Sequence, residues 1–380
     1  MRRLHSLWTT LLLAFLLPAT PALGTPPQLL RDDLSATSLL SAVGHSLDYL
    51  EKLPADRPMR LCNGIYTTGW LTETLRDFSD LVTRYGTGPE LTKMVRQQFD
   101  ICPAAGDDSL LITGYYEPEV AGSLTPTPTY RYPLYRVPPD LVIRGNRIGR
   151  EEQGRMVPYW SREEIETQNR LKGLELVYLA DPVDAFLLHV QGSGRVRLPD
   201  GAVRRVHFAA KNGHAYRSIG RILADQGKIP LAEVTMPRIT EYLSAHPGER
   251  EQILHGNPSF IFFSWGESGL TPNGSLGEPL TAGRSVALDP ACFPPGALGY
   301  LVSRKPRLDS EGDVAGWTEM RRFVLHQDSG SAIKGAGRLD LFWGGDRSAA
   351  IAAGVMKQPG TLFFLVKKQQ GADNRQRGEL

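Results

Sequence analysis

The stretch from Asp328 to Gly344 constrains this chain more than any other: Asp-Ser-Gly-Ser-Ala-Ile-Lys-Gly-Ala-Gly-Arg-Leu-Asp-Leu-Phe-Trp-Gly. Gly330, Gly335 and Gly337 permit backbone angles and close approaches that side chains obstruct. Short apolar pieces on either side, Phe323-Val324-Leu325 and Leu339-Leu341-Phe342, read as strands. Asp328 therefore ends one strand, and Asp340, twelve positions on, lies inside the next. A carboxylate in an otherwise apolar strand is costly to bury and invites a functional reading. The alternative is that both acids cap turns, a position Asp favours.

The rest of the chain divides by texture. Leu39, Leu40, Val43, Leu47 and Leu50 form a helical stripe that ends before Pro54. Leu71, Leu75, Phe78, Leu81 and Val82 form a second, stopped at Gly86. Pro89 opens a third, with Leu91, Val95 and Phe99 inward. After Cys102 strands are expected near 110–116, 132–137, 174–179, 184–191, 194–198, 203–208 and 260–263. Ser161 with Glu164 is a capping box. Helices are expected over 213–226 and 348–353. Two irregular stretches, 118–128 and 266–283, bracket the mainly β middle. A chain that leaves a domain and returns crosses the interface twice, and such composition suits the crossings.

Charge excludes one class of partner. The net charge is +2, and removing Arg2 and Arg3 leaves 41 basic against 41 acidic residues. Nothing here marks a nucleic-acid binder. Those two arginines precede the apolar run Leu11 to Leu17 and then the small residues Ala19, Ala22 and Gly24, the pattern of a signal peptide. The alternative is an uncleaved anchor, for which the run is short. Cys62 and Cys102 could pair in an exported protein, leaving Cys292 odd; three unpaired buried thiols are the other reading. Their spacing is not that of a metal site.

The glycine-rich stretch resembles the C-terminal three-aspartate domain of the MltA family of lytic murein transglycosylases. That family's run D-x-G-x-A-I-x-G, followed by an aromatic-flanked Asp and a Gly, falls on Asp328 to Gly335, Asp340 and Gly344. A third aspartate falls on Asp289, in Arg284-Ser-Val-Ala-Leu-Asp-Pro. Thr113-Gly-Tyr-Tyr-Glu-Pro, Tyr132-Pro-Leu-Tyr, Gln191-Gly-Ser-Gly with Leu198-Pro-Asp-Gly, and Asn257-Pro-Ser-Phe-Ile-Phe-Phe follow the family's order. The resemblance spans roughly residues 110 to 367. It implies a mainly β fold with N-terminal helices: an outer domain around a double-psi β-barrel, a smaller inserted β-rich domain, and a saccharide groove between them. The corresponding division is a signal peptide at 1–24, an outer-domain start at 25–117, an insert at 118–266 and the barrel part at 267–380. No lipoprotein cysteine lies near the cleavage region, a departure from the lipid-anchored members. The expected location is the periplasm, in association with the outer membrane or wall. The implied partners are peptidoglycan glycan strands and cell-wall-remodelling proteins, the expected state is monomeric, and no cofactor or metal is implied.

The implied reaction needs one acid. The 6-hydroxyl of N-acetylmuramic acid attacks its own anomeric carbon, and such internal attack has a high effective molarity. The acid protonates the leaving oxygen and then takes the proton from that hydroxyl. It must hold its proton near neutral pH, which apolar surroundings favour. Asp340, between Leu339 and Leu341-Phe342-Trp343, fits better than Asp328 among Ser and Gly, and the family's acid falls on Asp340. Asp328 and Asp289 take supporting roles, Asp289 more simply a structural one. Lys334 orients Asp340 or a sugar, or is a solvated lysine. For glycan binding the resemblance points to Thr113, Tyr115 and Tyr116. Gln191, Gly192, Ser193 and Gly194 offer an amide, a hydroxyl and backbone N–H groups, or are a plain hairpin turn. Phe342, Trp343 and Trp265 are stacking candidates. His326 is a ligand partner for Asp328 or a satisfied strand histidine. Competing readings are an inverting hydrolase using Asp340 with Asp328 as base, and a non-catalytic wall-binding protein.

Overall fold

A computed structural model describes residues 25–104, 109–266 and 271–369; the expected signal peptide lies outside these. The helical start follows its caps. α1 (Ala36–Leu50) begins where the Ser35 hydroxyl accepts the Ser38 N–H at 3.3 Å. The hairpin β1 (Pro58–Leu61) and β2 (Gly64–Thr67) comes next and went unforeseen. α2 (Thr68–Tyr85) starts at the Thr67 cap and stops at Gly86, φ +63°. α3 (Pro89–Gln98) opens on its proline. Leu39, Val43, Leu75, Phe78, Leu91 and Val95 from these helices join one core with the later barrel.

The chain then runs through β3 (Phe99–Pro103), β4 (Leu110–Tyr115), β5 (Glu119–Ser123) and β6 (Tyr132–Tyr135). A small sheet of β7 (Val142–Arg144), β8 (Arg147–Glu152) and β9 (Arg155–Val157) follows. α4 (Arg162–Thr167) has the expected capping box. β10 (Glu175–Leu179) leads to α5 (Pro182–Gln191), where a strand was expected over 184–191. Asp181 caps this helix by accepting the Val183 N–H at 2.7 Å, Pro182 is its first residue, and Gly192 ends it at φ +81°. A short buried apolar run has no period that separates helix from strand, so the caps decide. β11 (Ser193–Arg197) and β12 (Val203–Lys211) precede α6 (Ile219–Asp225), shorter than expected, and the unforeseen α7 (Met236–Ala245) and α8 (Pro247–His255). β13 (Ile261–Trp265) closes this part. β5 lies inside the stretch expected to be irregular.

The last part contains β14 (Ser285–Ala287), β15 (Leu298–Leu308), β16 (Val314–Asp328), β17 (Arg338–Phe342), α9 (Arg347–Val355) and β18 (Lys357–Lys367). Among the described residues, strands β5, β6 and β10–β13 form an open sheet ordered β13-β12-β11-β5-β10-β6. β15-β16-β14-β17-β4-β18 form a six-stranded barrel that closes through β18 on β15, from Gly299↔Phe364 to Val302↔Thr361. β3 extends it beyond β18. The fold is mainly β with N-terminal helices, and the barrel is the closed one expected. Leu339, Leu341, Ile112, Leu325 and Leu362 point into its core.

Two anchors hold the start of the chain to this barrel. Asp32 and Arg284 form an ion pair at 2.6 Å with both side chains fully buried, and Arg322 donates to both oxygens of Asp33 at 2.8 Å. Removing one member of such a buried pair costs about 3–5 kcal/mol. A disulfide joins Cys62 to Cys102, tying the β1–β2 turn to β3, while Cys292 is free and exposed. Closing a loop of 40 residues contributes about 4 kcal/mol in the chain-entropy account.

Candidate active site

Strand alternation places the acid. Along β17 Leu339 and Leu341 are fully buried in the barrel, so Arg338 and Asp340 face outward. On β4, Leu110 and Ile112 point in while Thr113 and Tyr115 point out. Parallel pairing sets Asp340 beside Thr113, and the Thr113 hydroxyl donates to Asp340 Oδ1 at 2.9 Å. On this outer face Asp340 is partly buried. Burial pushes the Asp340 carboxyl up to about 6, against the Thr113 hydrogen bond and the Arg338 charge, with the Asp328 charge adding to the rise. The flanking leucines do not create this environment, because they point to the other face.

Asp328 has a different neighbourhood. Its Oδ2 accepts the Tyr115 hydroxyl at 2.7 Å, and its Oδ1 accepts the N–H groups of Ser275 and Ser329 at 2.9 and 2.8 Å. Burial raises its carboxyl too, and these donors work against the rise. So both acids are desolvated, contrary to the contrast drawn from their sequence neighbours; what separates them is the number of donors. The Tyr115 phenol is held far above its usual range, first by burial and then by Asp328, so it stays a donor. Asp289 lies apart and accepts from Gly335 and Ala291 at 2.8 and 3.1 Å. Those backbone donors, Gly335 foremost, hold its carboxyl below the usual range. Lys334 is exposed and 4.0 Å from Asp289, its one ion pair among the described residues, and it lines the same cleft as Asp340 and Asp328. His326 is buried, with Nδ1 3.0 Å from the Pro294 carbonyl; burial lowers it to about 4, as a neutral strand histidine.

A cleft of about 630 Å³ runs between this barrel face and the open sheet. Asp340, Asp328, Tyr115, Gln191, Gly192 and Ser193 line it together. The Gln191 segment is the end of α5 and the start of β11, not a hairpin turn. Gln191 Oε1 accepts the Tyr116 N–H at 3.1 Å, tying the two walls. Gly194 is buried, and a Cβ there would lie 2.2 Å from Leu188 Cδ2, so its role is close packing. Thr113 and Tyr116 line a smaller hollow of about 300 Å³ that shares Tyr115, Gln191 and Asp340 with the cleft. Phe342 and Trp343 line neither. Phe342 is 2% exposed beneath the Tyr115 ring, and Trp343 packs against Gly114. Trp265 carries the Arg204 guanidinium over its ring.

Several cleft residues escaped the sequence reading. Ser275 reaches Asp328 from the glycine-rich loop. Phe208 is 51% exposed on the cleft wall, next to a bulge between Phe208 and Ala210 in β12. Glu117, 3% exposed, receives both Nε and Nη2 of Arg205, and Arg195 reaches from β11 to the Gly345 carbonyl just after β17. Glu117 lies in the Thr113 block, the only signal that could have pointed to this clamp. Among the described residues no group of three His, Cys, Asp or Glu is placed to hold a metal ion.

Residues 111–264 match the family described as the MltA specific insert domain, and residues 284–366 match the 3D domain. The chain is 34% identical over 264 residues to membrane-bound lytic murein transglycosylase A of Escherichia coli strain K12, covering 69% of this chain and 67% of that protein. Its fold is similar to the crystal structure of a membrane-bound lytic murein transglycosylase from Agrobacterium tumefaciens, with TM-score 0.73 and 30% identity over 88% of this chain and 93% of the other. It is also similar to the E. coli MltA structure with bound chitohexaose, with TM-score 0.69 and 26% identity over 90% and 93%.

Proposed function

The chain belongs to the MltA family of lytic murein transglycosylases, and from that premise we propose that Asp340 is its single acid and base. The protein is a peptidoglycan-cleaving lyase of the cell envelope. In the proposed cycle Asp340 gives its proton to the glycosidic oxygen between N-acetylmuramic acid and N-acetylglucosamine as that bond breaks. The carboxylate left behind then takes the proton of the muramic 6-hydroxyl as its oxygen bonds to the anomeric carbon. The product carries a 1,6-anhydro ring, and Asp340 is protonated again. No water is consumed.

One observation carries the assignment. Among the described residues Asp340 faces the cleft with a single hydrogen-bond donor and a carboxyl raised to about 6, whereas Asp328 accepts three. A group near 6 both gives and takes a proton around neutrality. Asp328, with both oxygens occupied, is poorly placed to activate a water and serves to hold Tyr115 and the Ser275 loop.

The proposed domain division keeps residues 118–266 as the insert and 25–117 with 267–380 as the outer domain. It is supported by the open sheet drawing its strands from 119–265 and the barrel from 110–115 and 285–367. Within the envelope we place the mature chain in the periplasm, where the Cys62–Cys102 disulfide suits an oxidising compartment. No helix among the described residues is long and apolar enough to cross a membrane. Mass spectrometry of a peptidoglycan digest, before and after borohydride reduction, tests the reaction. Anhydromuramic ends lighter by one water and inert to borohydride are expected; reducible muramic ends would overturn it in favour of hydrolysis.

A further inference from the structure

Arg338 stands two residues before Asp340 on the same face of β17. It lines the smaller hollow beside the acid, together with Thr113, Lys357 and Asp340. Lys357 lies opposite Thr113 in the neighbouring strand β18, and its exposed ammonium donates to the Leu231 carbonyl at 3.3 Å. The other arginines of buried character have carboxylate partners: Arg162 has Glu166, Arg205 has Glu117, Arg284 has Asp32 and Arg322 has Asp33. Arg338 has no carboxylate within 4.0 Å among the described residues. Its Nη2 makes one long contact, 3.4 Å to the Thr113 hydroxyl, and its Nε is buried with no hydrogen-bond partner.

Arg338 is half-buried, and its one buried, unpaired N–H, a feature shared with Arg195 and Arg321, is costly because it loses its water without replacement. Its charge also works against the acid, because it favours ionised Asp340. An anion pairing with the accessible end of the guanidinium offsets that charge. A guanidinium fork suits a carboxylate in particular. We propose that the hollow around Arg338 and Lys357 receives a carboxylate borne by the muramic unit of the substrate. This rests on the reading of the chain as a peptidoglycan lyase. The carboxylate has two sources: the free lactyl group of a peptide-free strand, or the stem peptide of an intact one. Either way the site distinguishes muramic acid from N-acetylglucosamine next to the bond that breaks. Binding also neutralises Arg338 and so strengthens the proton hold of Asp340 when substrate is in place.

Binding is measured by calorimetry on the full mature chain in an Asp340→Asn background, which prevents turnover. The probes are chitohexaose, peptide-free glycan strands and peptide-bearing strands. Adding Arg338→Gln is expected to weaken the carboxylate-bearing strands about tenfold or more and to leave chitohexaose within about twofold. Arg338→Lys keeps the charge and is expected to retain part of the affinity and its salt dependence. A larger loss on peptide-free strands assigns the lactyl carboxylate, and a larger loss on peptide-bearing strands assigns the stem. Equal losses on all three probes, or none, overturn the inference. Activity of the Asp340-intact chain separates the two levels. If that chain cuts peptidoglycan and Arg338→Gln leaves binding unchanged, only the carboxylate site falls; if it neither binds nor cuts, the function falls with it.

Discussion

The two walls of the cleft are built on different principles. The barrel wall belongs to a closed sheet in which β17 is paired on both sides, and its facing groups are tied in pairs, Asp340 to Thr113 and Asp328 to Tyr115. The opposite wall comes from an open sheet with a bulge in β12, and it presents Phe208 half exposed. A proton donor must be held to a fraction of an ångström, and a closed ladder supplies that fixity. A long polymer needs area more than fixity, and an open sheet with irregular strands supplies it. On the proposed assignment the chemistry falls to the barrel and the grip to the insert, with the Glu117–Arg205 pair and the Arg195–Gly345 contact holding one against the other.

The sharpest break of this contrast is Asp340→Asn. Turnover on peptidoglycan is expected to fall by about 10²–10⁴-fold with glycan binding kept, because an amide neither gives nor retrieves the proton. Wild-type-like activity would move the chemistry off the barrel wall. The same variant should be more stable than the parent at pH 7, and here the sign matters. The folded-state value, about 6, lies above the ordinary 3.8, so the unfolded chain ionises first and stability is lost as pH rises between them. Thermal melts of the two proteins should agree near pH 3 and separate between about pH 4 and 6.

A smaller effect is expected at Asp328→Asn and Tyr115→Phe, each lowering activity about tenfold by releasing the Ser275 loop or the Tyr115 hydroxyl. The pH profile should keep its shape, since neither change removes the titrating group. Thr113→Val sharpens the point from the other side. Losing the hydroxyl that favours ionised Asp340 should move the basic limb of kcat/KM to higher pH. A limb that stays put or moves down would separate Asp340 from the observed titration.

On the insert wall, Phe208→Ala should weaken glycan binding by about two- to tenfold and leave kcat within about twofold, as the loss of one exposed ring face allows. A fall in kcat as large as that of Asp328→Asn would put chemistry on both walls. Lys334→Ala should do least, within about twofold in every parameter, because the side chain is exposed and 4.0 Å from Asp289.

Much of the barrel wall was legible in advance. The glycines, the two short apolar pieces and the ordered blocks located β16, β17 and β4, and Asp340 was singled out from them. The stopping glycines and the Ser161 capping box fixed the helix ends they mark. The insert was read less well. Residues 184–191 form a helix, and α7 and α8 went unseen: α8 has no periodic apolar stripe, whereas α7 carries one in Met236, Ile239 and Leu243 that the reading passed over. Phe208 could not be found, because it shares the parity of buried Val206 on β12 and its exposure depends on what packs across the sheet. Phe342 is 2% exposed, which its sequence neighbours could not show because burial is not a property of a single residue.

The sequence by itself determined which way Asp340 points. With Leu339 and Leu341 committed to a core, period-two alternation leaves the acid on the other face. Only the tertiary structure decided what meets it there. Thr113 is 227 residues away and Tyr115 is 213 residues from the Asp328 it binds. A carboxyl's hold on its proton is set by the donors, charges and apolar atoms within a few ångströms of it. In a strand the nearest residues along the chain face away, and those that count arrive across the ladder and from the opposite wall of the cleft.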